Sequence, residues 1–202
     1  MKTIHLDSVD STNDAAKRLI AEGSLTEDAI VTAREQTAGR GTRSRSWLSP
    51  RDAGLYFSII TFDVGAATPD VTQHTLAAGV GCAEVLNEPT GVEVKLKPVN
   101  DLIAFGGKLG GILVESLVES GRVRALITGI GINTHRADRT VGPDALPPIS
   151  LEELMSPDRL QAVNLEMITK RIAEAVRRWQ RRVINNEGDA VRRAWESLKI
   201  PV

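Results

Sequence analysis

Apolar residues recur along this chain at two spacings, and the switches between them mark its elements. Thr3–Val9 alternates polar and apolar side chains, the two-residue period of a strand. Asp28–Arg34 and the β-branched, aromatic run Leu55–Phe62 also predict strands, and Val92–Lys97 alternates strictly. Leu102–Phe105, a Gly106-Gly107 turn and Leu109–Leu117 have the grammar of a hairpin. Gly121-Arg122 turns the chain again into Val123–Thr134.

Elsewhere the period is helical. Leu165, Ile168, Ile172, Val176, Trp179 and Val183 form one stripe and predict a long amphipathic helix. Its other side carries Lys170, Arg171, Arg177, Arg178, Arg181 and Arg182, with Gln180 among them, and reads as a solvated face. Asp70–Leu86 is apolar on most sides and predicts a buried helix. The capping residues Ser11-Thr12-Asn13-Asp14 open a short helix that Gly23 stops. Asp189–Leu198 predicts the last helix. Gln36–Pro50 reads as a long loop, and residues 135–150, with three prolines, as a surface loop. A strand-rich middle with helices at both ends predicts an α+β fold: one domain, residues 1–202, with a mixed, mostly antiparallel sheet packed with helices.

Composition narrows the function classes. At 202 residues and 42% hydrophobic, the chain can bury the core of one ordinary domain. Lys plus Arg is 25 and Asp plus Glu 26, a balance that argues against a general polyanion binder, so no nucleic-acid partner is expected. No apolar run approaches a membrane span, and Met1–His5 lacks a signal-peptide core. The single cysteine, Cys82, excludes an internal disulfide and a cysteine-rich zinc module. A cytoplasmic protein with no membrane partner is the expectation. His5, His74 and His135 are too scattered to suggest a metal site.

Common nucleotide templates fail. Leu102 stands where a P-loop ending at Gly107-Lys108 needs its first glycine, and Thr134 where a dinucleotide fingerprint from Gly129 needs its third. Three segments still suggest chemistry. Gln36–Trp47 holds Arg40, Arg43 and Arg45 among Gly39 and Gly41, a cationic loop whose backbone can approach a phosphate. Asn100-Asp101 sits at a bend after a strand, and Gly106–Glu115 sets Lys108 among four glycines at the start of an apolar strand.

In order along the chain, these segments resemble the bacterial biotin protein ligases (biotin–[acetyl-CoA-carboxylase] ligases) of the wider biotin/lipoate ligase superfamily. Asp10-Ser11-Thr12-Asn13 is similar to the family's ST-N entry and Gln36–Trp47 to its GRGRRGR-x-W loop. Lys97–Asp101 is similar to KWPND, Lys108–Glu115 to KL-GGILVE, and Gly129–Asn133 to GIGIN. The resemblance implies the class II aminoacyl-tRNA synthetase-like catalytic fold. It also implies two steps, activation of biotin with MgATP to biotinyl-5′-AMP and transfer to a lysine of a biotin carboxyl carrier protein or domain of acetyl-CoA carboxylase. Biotin, ATP and Mg2+ follow as substrates and ion, with a homodimer as a possible assembly.

Carried over by position, Lys108, Arg40 and Asp101 are the implied catalytic residues. Ser11, Thr12 and Gln36 are implied around the biotin ureido group, with Asn13 also among the binding residues. Gly39, Arg40 and Gly41 are implied over biotin and phosphate, with Arg43 also among the binding residues and Trp47 packing against the loop-bound ligand. Gly111 makes room for the biotin ring and chain and Asn133 lies near the adenosine, with Gly110 and Asn100 also among the implied binding residues. The chain departs from the pattern at Thr42, where the family usually has an Arg associated with holding the adenylate, at Ser44, and at Pro98-Val99. No winged DNA-binding domain is expected before residue 11, and no small β-barrel domain after Val202. Alternatives are a lipoate or octanoate ligase of the same superfamily, or a non-catalytic binder of biotin or its adenylate.

Overall fold

The computed structural model describes the chain except residues 63, 65–69, 99, 140–144, 201 and 202 and the side chain of Pro89. Val99 of the Pro98-Val99 departure therefore lies outside the described residues. Seven strands form one sheet: β1 (Lys2–Val9), β2 (Ala29–Gln36), β3 (Gly54–Phe62), β4 (Lys95–Lys97), β5 (Asp101–Ala104), β6 (Gly107–Glu119) and β7 (Arg122–Asn133). Their order is β1-β2-β3-β7-β6-β5-β4. Only β1 and β2 pair in parallel, because α1 (Thr12–Ala21) makes the crossover between them. The other neighbours are antiparallel. The sheet is mixed and mostly antiparallel, as the alternation predicted.

The alternation also divides the sheet into two faces. Leu55, Phe57 and Ile59 of β3, Ile112 and Val114 of β6, and Leu126, Ile130 and Ile132 of β7 pack against α2 (Val71–Thr90), α5 (Leu165–Ile184) and α6 (Gly188–Leu198). Burying each such side chain contributes about 1.5–3 kcal/mol, so this layer dominates the stability of the fold. α2 and α5 approach closely: a Cβ on Gly81 would lie 2.7 Å from the backbone N of Val176. On the opposite face α1 buries Ala15, Ala16 and Ile20 against Ile60, Ala125 and Ile127.

Four details differ from the sequence reading. The buried helix runs on to Thr90, and Gly91 ends it with φ of +62°. β4 is only three residues, because the Val92 and Val94 amides donate to Thr90 Oγ1 and Asn87 Oδ1 rather than to a strand. Gln180 is 1% exposed, one turn beyond Val176, and donates to Thr128 Oγ1 in the core, so it does not belong to the solvated face. The stretch 135–150 is not simply a surface loop. Lys108 N donates to Pro147 O and Ile149 N to Lys108 O, which lays 147–149 along β6. Two short helices follow, α3 (Leu151–Leu154) and α4 (Pro157–Ala162). The basic residues of α5 are largely paired: Arg171 with Glu88, Arg178 with Glu84, Arg177 with Asp28 and Lys170 with Glu166.

Candidate active site

The face that carries α1 changes character along β7. Ala125 and Ile127 lie under the helix, but the next positions on that face are Gly129 and Gly131. Polar and aromatic side chains rest directly on their backbone. A Cβ at Gly129 would lie 2.5 Å from Asn13 Oδ1, and one at Gly131 2.3 Å from Trp47 Nε1. Both approaches exclude any side chain. Gly111, opposite Gly131 in β6, faces the edge of the Trp47 ring at 3.4 Å. Over this floor opens a cavity of about 360 Å³.

One rim is the start of α1. Ser11 is the N-cap by position, yet its side chain makes no capping bond and lines the cavity instead. Gln36 Oε1 accepts from Thr12 N at 2.8 Å, and Gln36 Nε2 donates to Ser49 Oγ at 2.7 Å. Ser58, fully buried in β3, sits 2.8 Å from Thr12 Oγ1 and 2.6 Å from Asn13 Oδ1. Asn13 Nδ2 donates to Glu115 Oε2 at 2.7 Å. This rim is polar, buried and already hydrogen-bonded, so its shape is set before a ligand arrives.

The Gln36–Pro50 loop forms the second rim. Arg40 donates to Asp14 Oδ1 at 2.8 Å and to Glu115 Oε2 at 2.7 Å, and Lys17 reaches Glu115 at 2.8 Å. Burial pushes the Glu115 carboxyl up, but the hydrogen bonds from Lys17, Arg40 and Asn13 outweigh it and hold it below its ordinary value. Glu115 therefore stays ionised and latches the loop to α1 and β6 through Arg40. Trp47 N donates to Gly39 O at 2.8 Å, and Gly41 N to Arg45 O at 2.7 Å, closing the loop on itself.

The third wall is the β5–β6 hairpin. Lys108 Nζ lies 2.7 Å from Asp101 Oδ1 and 5.4 Å from the Trp47 ring centroid. Asn100 and Ile112 exchange hydrogen bonds, which fixes the bend before Asp101. Asn133 Nδ2 donates to Lys108 O and Ile149 O, while its Oδ1 has no partner among the described residues.

Eleven of the residues expected at the site line this one cavity: Ser11, Thr12, Asn13, Gln36, Arg40, Gly41, Trp47, Asn100, Lys108, Gly111 and Asn133. Asp101 joins them through Lys108. Gly39 stands behind the lining, where a Cβ would meet Trp47 O at 2.4 Å. Two expectations are corrected. Gly110 faces the opposite side of the sheet, against Leu102, because adjacent strand residues alternate. Arg43, with φ of +56°, does not line the cavity; Arg45 does. Missed entirely were Ser58, whose polarity inside an aliphatic strand was the available signal, and Arg139 with Ala145, Leu146 and Pro148, which come from the proline-rich stretch. Among the described residues, no group of three or more His, Cys, Asp and Glu is placed to hold a metal ion, and no helix is long and apolar enough to cross a membrane.

The family model described as "Biotin/lipoate A/B protein ligase family" matches residues 6–133, which take in the second half of β1, all of β2 to β7 and every lining residue of the cavity except Arg139, Ala145, Leu146 and Pro148. The chain belongs to this family. A biotin–[acetyl-CoA-carboxylase] ligase of Paracoccus denitrificans is 34% identical over 94% of this chain and 78% of its own length. The bifunctional ligase/repressor BirA of Bacillus subtilis is 36% identical over 73% of this chain, which spans only 44% of that protein. The chain thus covers less than half the length of some curated relatives of the biotin/lipoate ligase family. A solved biotin protein ligase of Aquifex aeolicus, in complex with biotin and ATP, superposes with a TM-score of 0.78 at 26% identity, over 98% of this chain and 78% of that one.

Proposed function

We propose that this chain is a biotin protein ligase, which activates biotin with MgATP and transfers it to a lysine of a biotin carboxyl carrier protein or domain of acetyl-CoA carboxylase. One observation carries this reading: a glycine-floored cavity brings a buried polar rim and the Lys108–Asp101 pair together. The ureido group of biotin offers two N–H donors and one carbonyl. Ser11, Thr12 and Gln36 present matching hydroxyls and an amide at the closed end. The bicyclic ring lies against the Trp47 indole, which Gly131 and Gly111 allow to sit close to the sheet.

In the first step a biotin carboxylate oxygen attacks the α-phosphorus, the α–β anhydride breaks and pyrophosphate leaves. Two anions must meet, so the site has to neutralise them. Lys108 turns from Asp101 toward the carboxylate and α-phosphate oxygens, a contact strengthened in a water-poor pocket. Mg2+ arrives bound to the nucleotide phosphates. Arg40, held by Asp14 and Glu115, acts chiefly by keeping the loop closed over the ligand. In the second step the carrier lysine nitrogen attacks the acyl carbon and AMP leaves. Asp101, released from Lys108, orients the incoming ammonium and takes up its proton. Asn133 Oδ1 offers an acceptor at the nucleotide end.

The relatives with biotin ligase names and the polar rim favour biotin over lipoate, whose dithiolane ring brings neither an N–H nor a carbonyl to that rim. A cytoplasmic location goes with this reading. So does a homodimer, for which the outer side of β1, unpaired in the sheet, is the available edge. The test is incubation with MgATP, an unmodified carrier domain and either biotin or lipoate, read by intact-mass spectrometry. Addition of one biotin supports the reading. Addition of lipoate alone moves the assignment to the sibling ligase, and binding without modification to the non-catalytic binder.

A further inference from the structure

The hairpin that carries Asp101 and Lys108 ends in a two-residue turn, Phe105-Gly106, between the paired residues Ala104 and Gly107. Both turn residues have positive φ, +47° at Phe105 and +77° at Gly106, as a type I′ turn requires. Asn, Asp or Gly ordinarily fills the first position, because a larger L side chain is strained there. The sequence alone predicts this turn one residue later, at Gly106-Gly107. Gly107 is instead held in β6, where a Cβ would lie 2.8 Å from Ile149 Cβ. That packing sets where the turn falls. It does not call for an aromatic residue at the first position.

Nor does the fold use the ring. Phe105 is 80% exposed, against 57% for Met167, the next most exposed large hydrophobic side chain among the described residues. A Cβ on Gly106 would meet nothing within 4 Å, so the tip of the hairpin stands clear. Phe105 is thus unfavourable twice, in backbone conformation and in hydration of its ring. Aromatic side chains are enriched where one protein grips another, and there both penalties have a use. The place of Phe105 narrows the partner. It is three residues from Lys108, about 10 Å of extended chain, and Asp101 opens the strand that leads to it. The second step brings a protein lysine to the Lys108–Asp101 pair, so the domain that carries this lysine must cover surface within that distance. Leu48, also exposed, lines the cavity from the Gln36–Pro50 loop, so two elements of the site present apolar surface to what arrives.

We propose that Phe105 is an anchor for the acyl-accepting protein: its ring enters an apolar pocket on the carrier domain, close to the lysine that is modified, and holds that lysine within reach of Asp101. This inference rests on the ligase reading given above and adds to it a surface by which the carrier is held. The ring does not line the cavity, so it acts in the second step alone.

The experiment separates the two steps on the full chain, on Phe105→Asn and on Phe105→Tyr. Asn-Gly is a sequence that this turn favours, so Phe105→Asn is expected to fold and to melt roughly 2–4 °C above the wild type. Biotin-dependent pyrophosphate exchange, which needs no carrier, should be unchanged within about twofold. Transfer from preformed biotinyl-5′-AMP to an unmodified carrier domain is then followed against carrier concentration. Loss of an aromatic anchor should raise the half-saturating concentration roughly tenfold or more, with the rate at saturation little changed. Phe105→Tyr keeps the ring and should stay within about threefold of the wild type. Equal carrier dependence in wild type and Phe105→Asn overturns the proposal. So does a loss of exchange or a lower melting temperature in Phe105→Asn, either of which makes the ring a structural part of the hairpin. A wild-type dimer that Phe105→Asn dissociates, with carrier dependence unchanged, also overturns it and assigns the ring to a second copy. A wild type that catalyses no exchange would overturn the ligase reading itself, and the proposal with it.

Discussion

The two faces of the sheet are made by the same strands and follow opposite rules. Toward α2, α5 and α6, alternate residues of β3, β6 and β7 are Leu, Ile, Val and Phe, and stability comes from filling space. Toward the cavity, the alternate residues are Gly111, Gly129 and Gly131, with Ser58 and Glu115 beside them, and the glycines let Asn13 and Trp47 sit directly on the strands and shape the cavity. Within β7 the switch takes one step, from Ile127 under α1 to Gly129 under Asn13. A strand can therefore serve a core and a ligand at once, because its period of two separates the demands.

If that division is right, changes on the two faces should fail differently. The largest effect is expected on the cavity side. Lys108→Ala should lower the rate of biotin activation roughly 10²–10³-fold, the scale of losing one transition-state charge contact, with the thermal midpoint little changed; single-turnover kinetics with calorimetry checks both. Next, Gly131→Ala would drive a Cβ into the Trp47 indole. Displacing that wall should weaken biotin binding roughly tenfold to hundredfold, measurable by titration calorimetry, while the fold persists.

The helical side should answer through stability. His74 is buried there, and desolvation lowers its pKa from 6.5 to about 4. Between those values the unfolded chain binds more protons than the folded one, so stability is fully present above pH 6.5 and lost as the pH falls toward 4. Urea unfolding should show a drop on the order of 2 kcal/mol from pH 7 to pH 4.5, flattened in His74→Phe. The smallest effect is expected at the α2–α5 contact. Gly81→Ala gains helix propensity but presses on the backbone of Val176. A net destabilisation of about 1 kcal/mol, with biotin affinity unchanged, would confirm that this glycine serves packing alone.

Much of this was legible in the chain because it is local. Alternation places the strands, and the stripe from Leu165 to Val183 places α5. The glycines around Lys108 and Gly129 mark the strand positions that other groups approach closely. What was not legible depends on partners distant in sequence. Gln180 looks polar and exposed until Thr128 is brought beside it. Residues 145–148 look like surface loop until Pro147 meets Lys108. Gly110 and Gly111 are indistinguishable by type, and only the register with β7 shows which one faces the cavity. Arg43 and Arg45 differ likewise, through a left-handed turn at Arg43 that composition does not announce.

The most direct test of the central claim is biotin-dependent exchange between ATP and labelled pyrophosphate, catalysed by this chain alone, with lipoate in parallel and Lys108→Ala as control. Exchange is expected with biotin, none with lipoate, and its loss in the variant. Exchange that survives in Lys108→Ala, or the absence of exchange in a wild type that binds biotin and ATP, would contradict it.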